Sequence, residues 1–411
     1  MWAEIRGYPI TAFAICLVAY TTAQMDLALF GFAIPAIRAE FGLSLSGVMT
    51  IVSCAFVLGG LFIVWLALLA DRVGRKTLFQ FSLIASSILV ALHALAVNAA
   101  SLMLLRGSSI AAGGLSYPVT GAIISEEFPA RYRGLFLGLM QIGYPLGWAL
   151  ASLWAAWLLS HHSWRWLFVT GLVSLPLVWL VRRMIREPGR ATKARHDNTE
   201  RVRLAELWAP GIRRRAVLLF CAQFLFVWAY AGSIFLFPSY LSEHRSMASV
   251  EFSLLIGAGN AIGIVGYVLA AVIGEFYLTR RNTVVIWTML GAIMFQLLVW
   301  QAATYTQILL TYGVMSMFFY GSAAVKFAYL AEVFPTRLRA TAMASCGSLA
   351  VTLGSAAGPL SASLAVEKIG WTYGYSMLVG VPLFLAGLLY LFLTPVPSGL
   401  EVEEVEQVLA S

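Results

Sequence analysis

Three charged side chains, Asp26, Arg106 and Lys326, fall inside runs of the chain that are otherwise apolar or small. In "TTAQMDLALFGFAIP" (Thr21 to Pro35) the only charge is Asp26. An aspartate at the centre of a membrane-spanning helix costs about 2.5–3.5 kcal/mol on insertion scales. Arg106, in "LLRGSSIAAGG", poses the same problem, because a buried guanidinium demands a partner. Asp26 is the only acidic residue well inside an apolar run of the first half of the chain, so the two are expected to pair. Burial and a nearby cation act on a carboxyl's proton in opposite senses. Movement of the partner can therefore decide whether the proton is held, which is the chemistry of a proton carrier; the bland alternative is that Asp26 merely neutralises Arg106.

Lys326 lies in "FFYGSAAVKFAYLAEVFP". At alternating spacings of four and three, one helical face carries Tyr312, Ser316, Phe319, Ala323 and Lys326. A lysine at the end of such a stripe can neutralise a carboxylate while the rings stack on an apolar body. The alternative is that it snorkels to the inner surface, about seven residues or ~10 Å away. Gln141, Tyr144 and Trp148 share one face of a fifth apolar run, and Gln223, Phe226, Tyr230 and Ser233 one face of a seventh. Tyr117, Gln141, Tyr144, Gln223, Tyr230, Ser316 and Phe319 join Lys326 as candidate substrate contacts. For any single aromatic among them, packing or an interfacial belt is the competing reading.

These residues need elements to hold them. The 411-residue chain is 60% hydrophobic and 11% charged, with a mean hydropathy of +0.84. A soluble protein carries roughly 25% charged residues, so the composition points to an integral membrane protein of the all-α class. Twelve apolar runs of spanning length can be marked, at residues 10–34, 46–70, 77–98, 101–124, 134–159, 165–182, 215–240, 251–274, 283–303, 306–330, 340–366 and 371–394. With the N-terminus inside, the cytoplasmic segments hold 21 of the 27 lysines and arginines and the outer loops four (Arg38, Arg165, Arg245 and Lys368). The positive-inside rule then puts both termini in the cytoplasm. The formal charge of +8 is thus a topology signal and gives no reason to expect a nucleic-acid partner. The first run is too long for a cleavable signal peptide. Cys16, Cys54, Cys221 and Cys346 sit in apolar runs without metal or disulfide spacing.

The polar stretch between the sixth and seventh runs divides the chain into a six-helix half at 1–182, a linker at 183–214 and a second half with a short tail at 215–411. "EEFPARYRG" (Glu126–Gly134) matches "EVFPTRLRA" (Glu332–Ala340) at a constant offset, each after the fourth run of its half. Two related six-helix halves are a parallel-repeat transporter plan.

The loop "LADRVGRK" (Leu69 to Lys76), taken with the repeated "FPxRxR" loops, resembles the major facilitator superfamily over essentially the whole chain. Asp71 is expected to cap the following helix, where its charge meets the positive dipole end. The resemblance implies a twelve-helix fold of two pseudo-symmetric halves, with helices 1, 4, 7 and 10 lining a central cavity. It also implies a conformational latch built from Asp71, Arg72, Gly74, Arg75, Glu126, Arg131, Glu332 and Arg337; a merely topogenic turn is the alternative. Of the superfamily's helix 4 glycines only Gly114 is kept, Ile110 and Ala112 replacing the others. Gly134, Gly143 and Gly147 keep the glycine spacing of drug antiporters, but Trp148 replaces the proline, which counts against an exporter. "QMDLALFGFAIPAI" looks like the first helix of proton symporters for aromatic and related organic acids, through Asp26, Gly31, Phe32 and Pro35. Ala23 stands where many of them have a second aspartate, so the coupling role falls on Asp26 with Arg106.

The expected protein is a secondary transporter in the cytoplasmic membrane, a monomer without cofactor or metal. It would import a small organic anion with protons by alternating access. Export of drugs or metabolites by proton antiport is the rival within the class; a channel or a non-transporting sensor is the rival outside it. An enzyme is excluded by the lack of any catalytic set: no HExxH, no nucleophile elbow and no carboxylate pair in the bilayer.

Overall fold

The structure is a computed structural model and describes residues 7–73, 75–129, 136–186, 204–209, 212–334, 338 and 341–395. These residues are almost entirely helical, as the bilayer requires: without water to satisfy N–H and C=O groups, each crossing must satisfy its own. Helix α1 spans Tyr8–Phe41, α2 Leu45–Val73 and α3 Arg75–Leu92 with a tight turn at His93–Leu95. Helix α4 comprises Ala99–Gly114 and Ser116–Glu127 on either side of Leu115, α5 spans Phe136–His161 and α6 Trp164–Met184. In the second half α7 spans Arg213–His244, α8 Ser249–Phe276, α9 Arg280–Trp300 and α10 Tyr305–Glu332. Helix α11 is Ala350–Tyr375 and α12 Val381–Leu391.

Ten helices among the described residues are long and apolar enough by themselves to cross a membrane. The twelve-helix plan appears once two breaks are recognised. At Leu115 the two segments of α4 each fall short of a crossing and together make one. At Gly370 the backbone turns to φ 83°, ψ 168° inside α11. A side chain there would be strained, whereas glycine adopts the conformation freely, so the chain can end one crossing and start the next without a loop. The rods otherwise follow the apolar runs closely. Helix α1 is the main extension: it continues past Pro35 to Phe41 and stops at Gly42, which is left-handed and closes on the Arg38 carbonyl. Its polar end is anchored by Glu40, whose Oε2 accepts from Trp164 Nε1 at 2.7 Å and Arg165 Nη1 at 2.6 Å.

One expectation fails here. Helix α2 continues through Asp71 to Val73 and α3 starts at Arg75, so Asp71 lies in the last turn of a helix and does not cap the next one. The apolar run ends before the helix does, because a charged last turn that has reached the membrane surface no longer needs apolar side chains. Gly74, Arg131 and Arg337 of the expected latch lie outside the described residues. Arg72 shares the last turn of α2, Arg75 opens α3, and Glu126 and Glu332 close α4 and α10.

The chain forms two compact units, Met1–Thr199 with Leu241–Gly257, and Glu200–Tyr240 with Ala258–Ser411. In the first, α1 packs on α5 and α2 on α4; in the second, α7 packs on α11 and α9 on α10. The first-on-fifth pairing therefore recurs in both. The first core gathers Cys16, Phe79, Ile123, Phe128 and Met140; the second gathers Ala222, Val284, Tyr329, Phe334 and Cys346. All four cysteines are free.

Glycine sets the α1–α5 distance. A Cβ at Gly147 would lie 2.5 Å from the Thr21 carbonyl oxygen and 2.7 Å from Met25 N, whereas one at Gly138 would have nothing within 4 Å. The spacing of Gly143 and Gly147 is thus used for close helix packing. Gly147→Val is expected to destabilise the protein by roughly 2–3 kcal/mol through overpacking, and Gly138→Ala to be neutral or stabilising. Thermal unfolding of the purified variants in detergent checks both.

Candidate functional site

The first unit buries an acid and a base in one neighbourhood. Asp26 on α1 is 4% exposed and Arg106 on α4 is 1% exposed, and each lies within the electrostatic field of the other. The guanidinium does not rest on the carboxylate in a close ion pair. Its Nη2 donates to the Leu27 carbonyl at 2.7 Å, and its Cζ sits 4.7 Å from the Phe30 ring centroid. A helical carbonyl can accept a second hydrogen bond on its remaining lone pair, and a ring face attracts a cation. Both contacts lie on α1 within a turn of Asp26. Oδ1 of Asp26 and Nε of Arg106 are left buried without a hydrogen-bond partner, which is costly for groups of this polarity. Oδ1 packs against the bare Cα of Gly171 on α6, where a Cβ would come within 3.5 Å of it. The pair is therefore close, tied to a common helix turn, and incompletely satisfied. Such a site can change its protonation when its geometry changes.

The second unit holds the other buried charge. Lys326 is 3% exposed, and its Nζ lies 3.5 Å from the Phe226 ring centroid. The lysine therefore stays among the rings and does not snorkel. Phe226 stacks on Phe319 at 4.6 Å and 23°, and Tyr230 stacks on Phe319 at 5.0 Å and 19°. This three-ring stack with an ammonium at one end forms because α7 offers Phe226 and Tyr230 one turn apart and α10 inserts Phe319 between them. A cavity adjoins the stack. Tyr230, Ser233, Tyr312, Ser316, Phe319 and Tyr320 are among the residues that line it. A cation–π contact with a desolvated ammonium is worth about 2 kcal/mol.

The expected contacts divide between the two units. Lys326, Gln223, Tyr230, Ser316 and Phe319 lie in the second; of these Tyr230, Ser316 and Phe319 line the cavity, and Gln223 is buried with Nε2 unsatisfied. Gln141 and Tyr144 lie in the first, on α5. Gln141 Oε1 accepts from Tyr20 Oη at 3.2 Å, and Tyr144 stacks at 6.5 Å on Trp148. Tyr117 falls on the second segment of α4. Among the described residues no group of three His, Cys, Asp or Glu could hold a metal ion.

The sequence reading missed Asn260 and Tyr320. Asn260 on α8 is fully buried; its Nδ2 donates to Tyr312 Oη at 3.4 Å, and its Oδ1 accepts from Tyr320 Oη. Tyr312 is also hydrogen-bonded to Ser316. One amide thus orients two tyrosines of the cavity wall. The available signal was a lone amide within the apolar run "LLIGAGNAIGIVGY", which invites a buried partner.

A sequence model described as Major Facilitator Superfamily matches residues 16–280 and 219–410. The chain is 27% identical over 395 residues to the cis,cis-muconate transport protein of Acinetobacter baylyi, covering 92% of each chain. It is 30% identical over 204 residues to the 4-hydroxybenzoate transporter PcaK of the same organism, covering 49% of this chain and 44% of that one. A crystal structure of a bacterial homolog of the human lysosomal transporter Spinster superposes with a TM-score of 0.73 at 15% identity, covering 98% of this chain and 97% of that one.

Asn260→Leu is expected to lower stability by roughly 1–3 kcal/mol for each tyrosine hydroxyl it orphans. In that background, Tyr320→Phe should cost less than it does in the wild type. A thermal-denaturation cycle of the four proteins checks this; additive losses would mean that the amide and the hydroxyl are not coupled.

Proposed function

The chain belongs to the Major Facilitator Superfamily, and we propose that it imports a small organic anion, an aromatic or other carboxylic acid, together with protons by alternating access. It is a multi-pass membrane transporter of that superfamily and not an enzyme. The observation that carries the proposal is the Phe226–Phe319–Tyr230 stack, which meets the Lys326 ammonium at Phe226 and a cavity at Phe319 and Tyr230. Planar apolar bodies bind between rings, and a carboxylate is the natural counter-ion of a buried lysine. The relatives named for muconate and 4-hydroxybenzoate handle acids of that kind.

Asp26 is the proposed proton carrier and Arg106 its partner. Their incomplete hydrogen bonding supports this role: a carboxylate locked in a saturated salt bridge would have no reason to titrate during transport. Asp71 and Arg72 at the end of α2, Arg75 at the start of α3, and Glu126 and Glu332 at the ends of α4 and α10 are proposed, with Gly74, Arg131 and Arg337 of the sequence motif, to stabilise one end state of the cycle. A carboxylate such as Asp71 in the last turn of a helix is disfavoured by the dipole, so it needs a basic partner. The excess of lysine and arginine on the segments assigned inside supports an inner-membrane location with both termini cytoplasmic.

Two variants test the assignment. Lys326→Ala should weaken binding of the transported acid by about 10–100-fold with normal expression, and Lys326→Arg by less. A thermal-shift screen against organic acids, sugars and drugs identifies the ligand, since a binder raises the melting temperature by mass action, and calorimetry then reads the affinities. Unchanged affinity in the alanine variant removes Lys326 from the site. Asp26→Asn should bind and exchange the acid in proteoliposomes yet lose accumulation driven by a pH gradient. Wild-type dependence on the gradient in this variant would rule Asp26 out as the carrier.

A further inference from the structure

Beside the Asp26–Arg106 pair lies a third buried group that the proposed mechanism leaves unused. His93 forms the turn at the end of α3 and is fully buried. Its Nδ1 lies 2.8 Å from the Leu89 carbonyl oxygen and 3.2 Å from that of Val90. A carbonyl only accepts, so the proton of the neutral ring is on Nδ1 and Nε2 carries the lone pair. That lone pair is buried without a partner.

The surroundings of the ring are those of the acid–base pair. His93 stacks on Phe168 of α6 at 4.9 Å and 14°, and meets Phe30 of α1 edge-on at 6.2 Å and 74°. Phe30 is the ring over which Arg106 lies, and Arg106 acts electrostatically on His93. Gly171, one turn beyond Phe168, packs against both Asp26 Oδ1 and Val90. The orphaned atoms of this cluster are complementary: one donor, Arg106 Nε, and two acceptors, Asp26 Oδ1 and His93 Nε2. The other charged groups near the turn are already engaged. Arg165 of α6 donates to Ala96 O at 3.2 Å and to Glu40 of α1 at 2.6 Å. Lys76 and Arg75 stand at the opposite end of α3.

We propose that His93 is a second proton acceptor of the cluster, and that His93 Nε2 and the Asp26 carboxylate, each coupled to Arg106, share one proton in the sense that the cluster holds it on one or the other. The proton comes from water at the end of α3. An N–H bond forms at Nε2 as the hydronium O–H bond breaks, giving an imidazolium that keeps its Nδ1–H on the Leu89 carbonyl. When Asp26 takes a proton from water instead, an O–H bond forms on the carboxylate as a hydronium O–H bond breaks, and the Nε2–H proton returns to water, restoring the neutral ring. An imidazolium beside the Arg106 guanidinium is tolerable only while Asp26 is ionised, so the two acceptors do not hold protons together. The inference rests on the reading of Asp26 as the carrier.

The experiment uses full-length protein in which His161, His162, His196 and His244 are replaced by Gln, leaving His93 as the only histidine. The imidazole nitrogen shifts are titrated with and without Asp26→Asn. Sharing predicts that the His93 midpoint moves by about one pH unit or more between the two proteins, since coupled groups titrate as a pair. An identical midpoint, or no titration in either protein, overturns the proposal and makes His93 a packing residue. Both readouts need no substrate. In proteoliposomes supplied with 4-hydroxybenzoate or cis,cis-muconate, His93→Phe keeps a ring on Phe168 and removes Nε2. The ratio of gradient-driven uptake to counterflow should fall by about tenfold or more; an equal loss of both would mark a structural role and count against sharing. If neither acid is carried by the wild type, the substrate reading fails while the titration still decides the role of His93.

Discussion

A guanidinium in an apolar bundle has to be satisfied somewhere, and the route taken by Arg106 determines much of the first unit. It spends one donor on the Leu27 carbonyl and lays its plane over Phe30, so two successive turns of α1 are committed to α4. Asp26 is held within that commitment, beside the base without being saturated by it. The rest of the neighbourhood accommodates this arrangement. Gly147 brings α5 against the same stretch of α1, and Gly171 lets α6 approach the carboxylate. A side chain at either glycine would push a wall away from the acid, let water reach it and weaken the field that couples it to Arg106.

The second unit also sets its buried cation over a ring face, Lys326 on Phe226. The ring beneath the ammonium is also the first of the three-ring stack, so the proposed recognition of charge and of a planar body would share one residue, Phe226. Asn260 fixes the polar wall opposite by holding Tyr312 and Tyr320 at once. On the proposed reading one unit does acid–base work and the other anchors the cargo, a division that suits a device in which proton and cargo must each report on the other.

What was legible in the sequence follows from how costs are expressed in it. Asp26, Arg106 and Lys326 stood out because each is an expensive residue in an apolar run, and the stack was foreshadowed by spacing on the seventh and tenth runs. The positions of the rods were legible because apolar length is imposed by the bilayer. Partnerships were less so: the Asp26 and Arg106 side chains are close, but the shortest contacts of the guanidinium are a carbonyl and a ring, which no composition signal marks. Asn260 is not marked in the sequence, because a single amide in a helix is inexpensive enough to be common and its meaning depends on which helices meet it. Asp71 was placed at the start of a helix because the apolar run stops before it, whereas the backbone hydrogen bonds of α2 continue into the charged turn.

The proposed division of labour also constrains the charge moved in each cycle. In the empty carrier the buried groups are an ammonium on rings, a carboxylate and a guanidinium. In the loaded carrier the ammonium faces a substrate carboxylate, and the cluster in the first unit has gained one proton. For a monovalent acid the two additions cancel, so the protein carries the same total charge in both directions. The complete cycle then moves no net charge and does no net work against a membrane potential, which would otherwise cost about 2.3 kcal/mol per charge per 100 mV. A divalent acid leaves one charge uncompensated unless a second proton is found. The single shared proton of the His93–Asp26 cluster cannot supply it, because both acceptors lie in the field of the same guanidinium. On the proposed reading a monocarboxylate such as 4-hydroxybenzoate moves without net charge and a dicarboxylate such as muconate moves with one, a difference set by electrostatics in the first unit and independent of the shape of the cavity in the second.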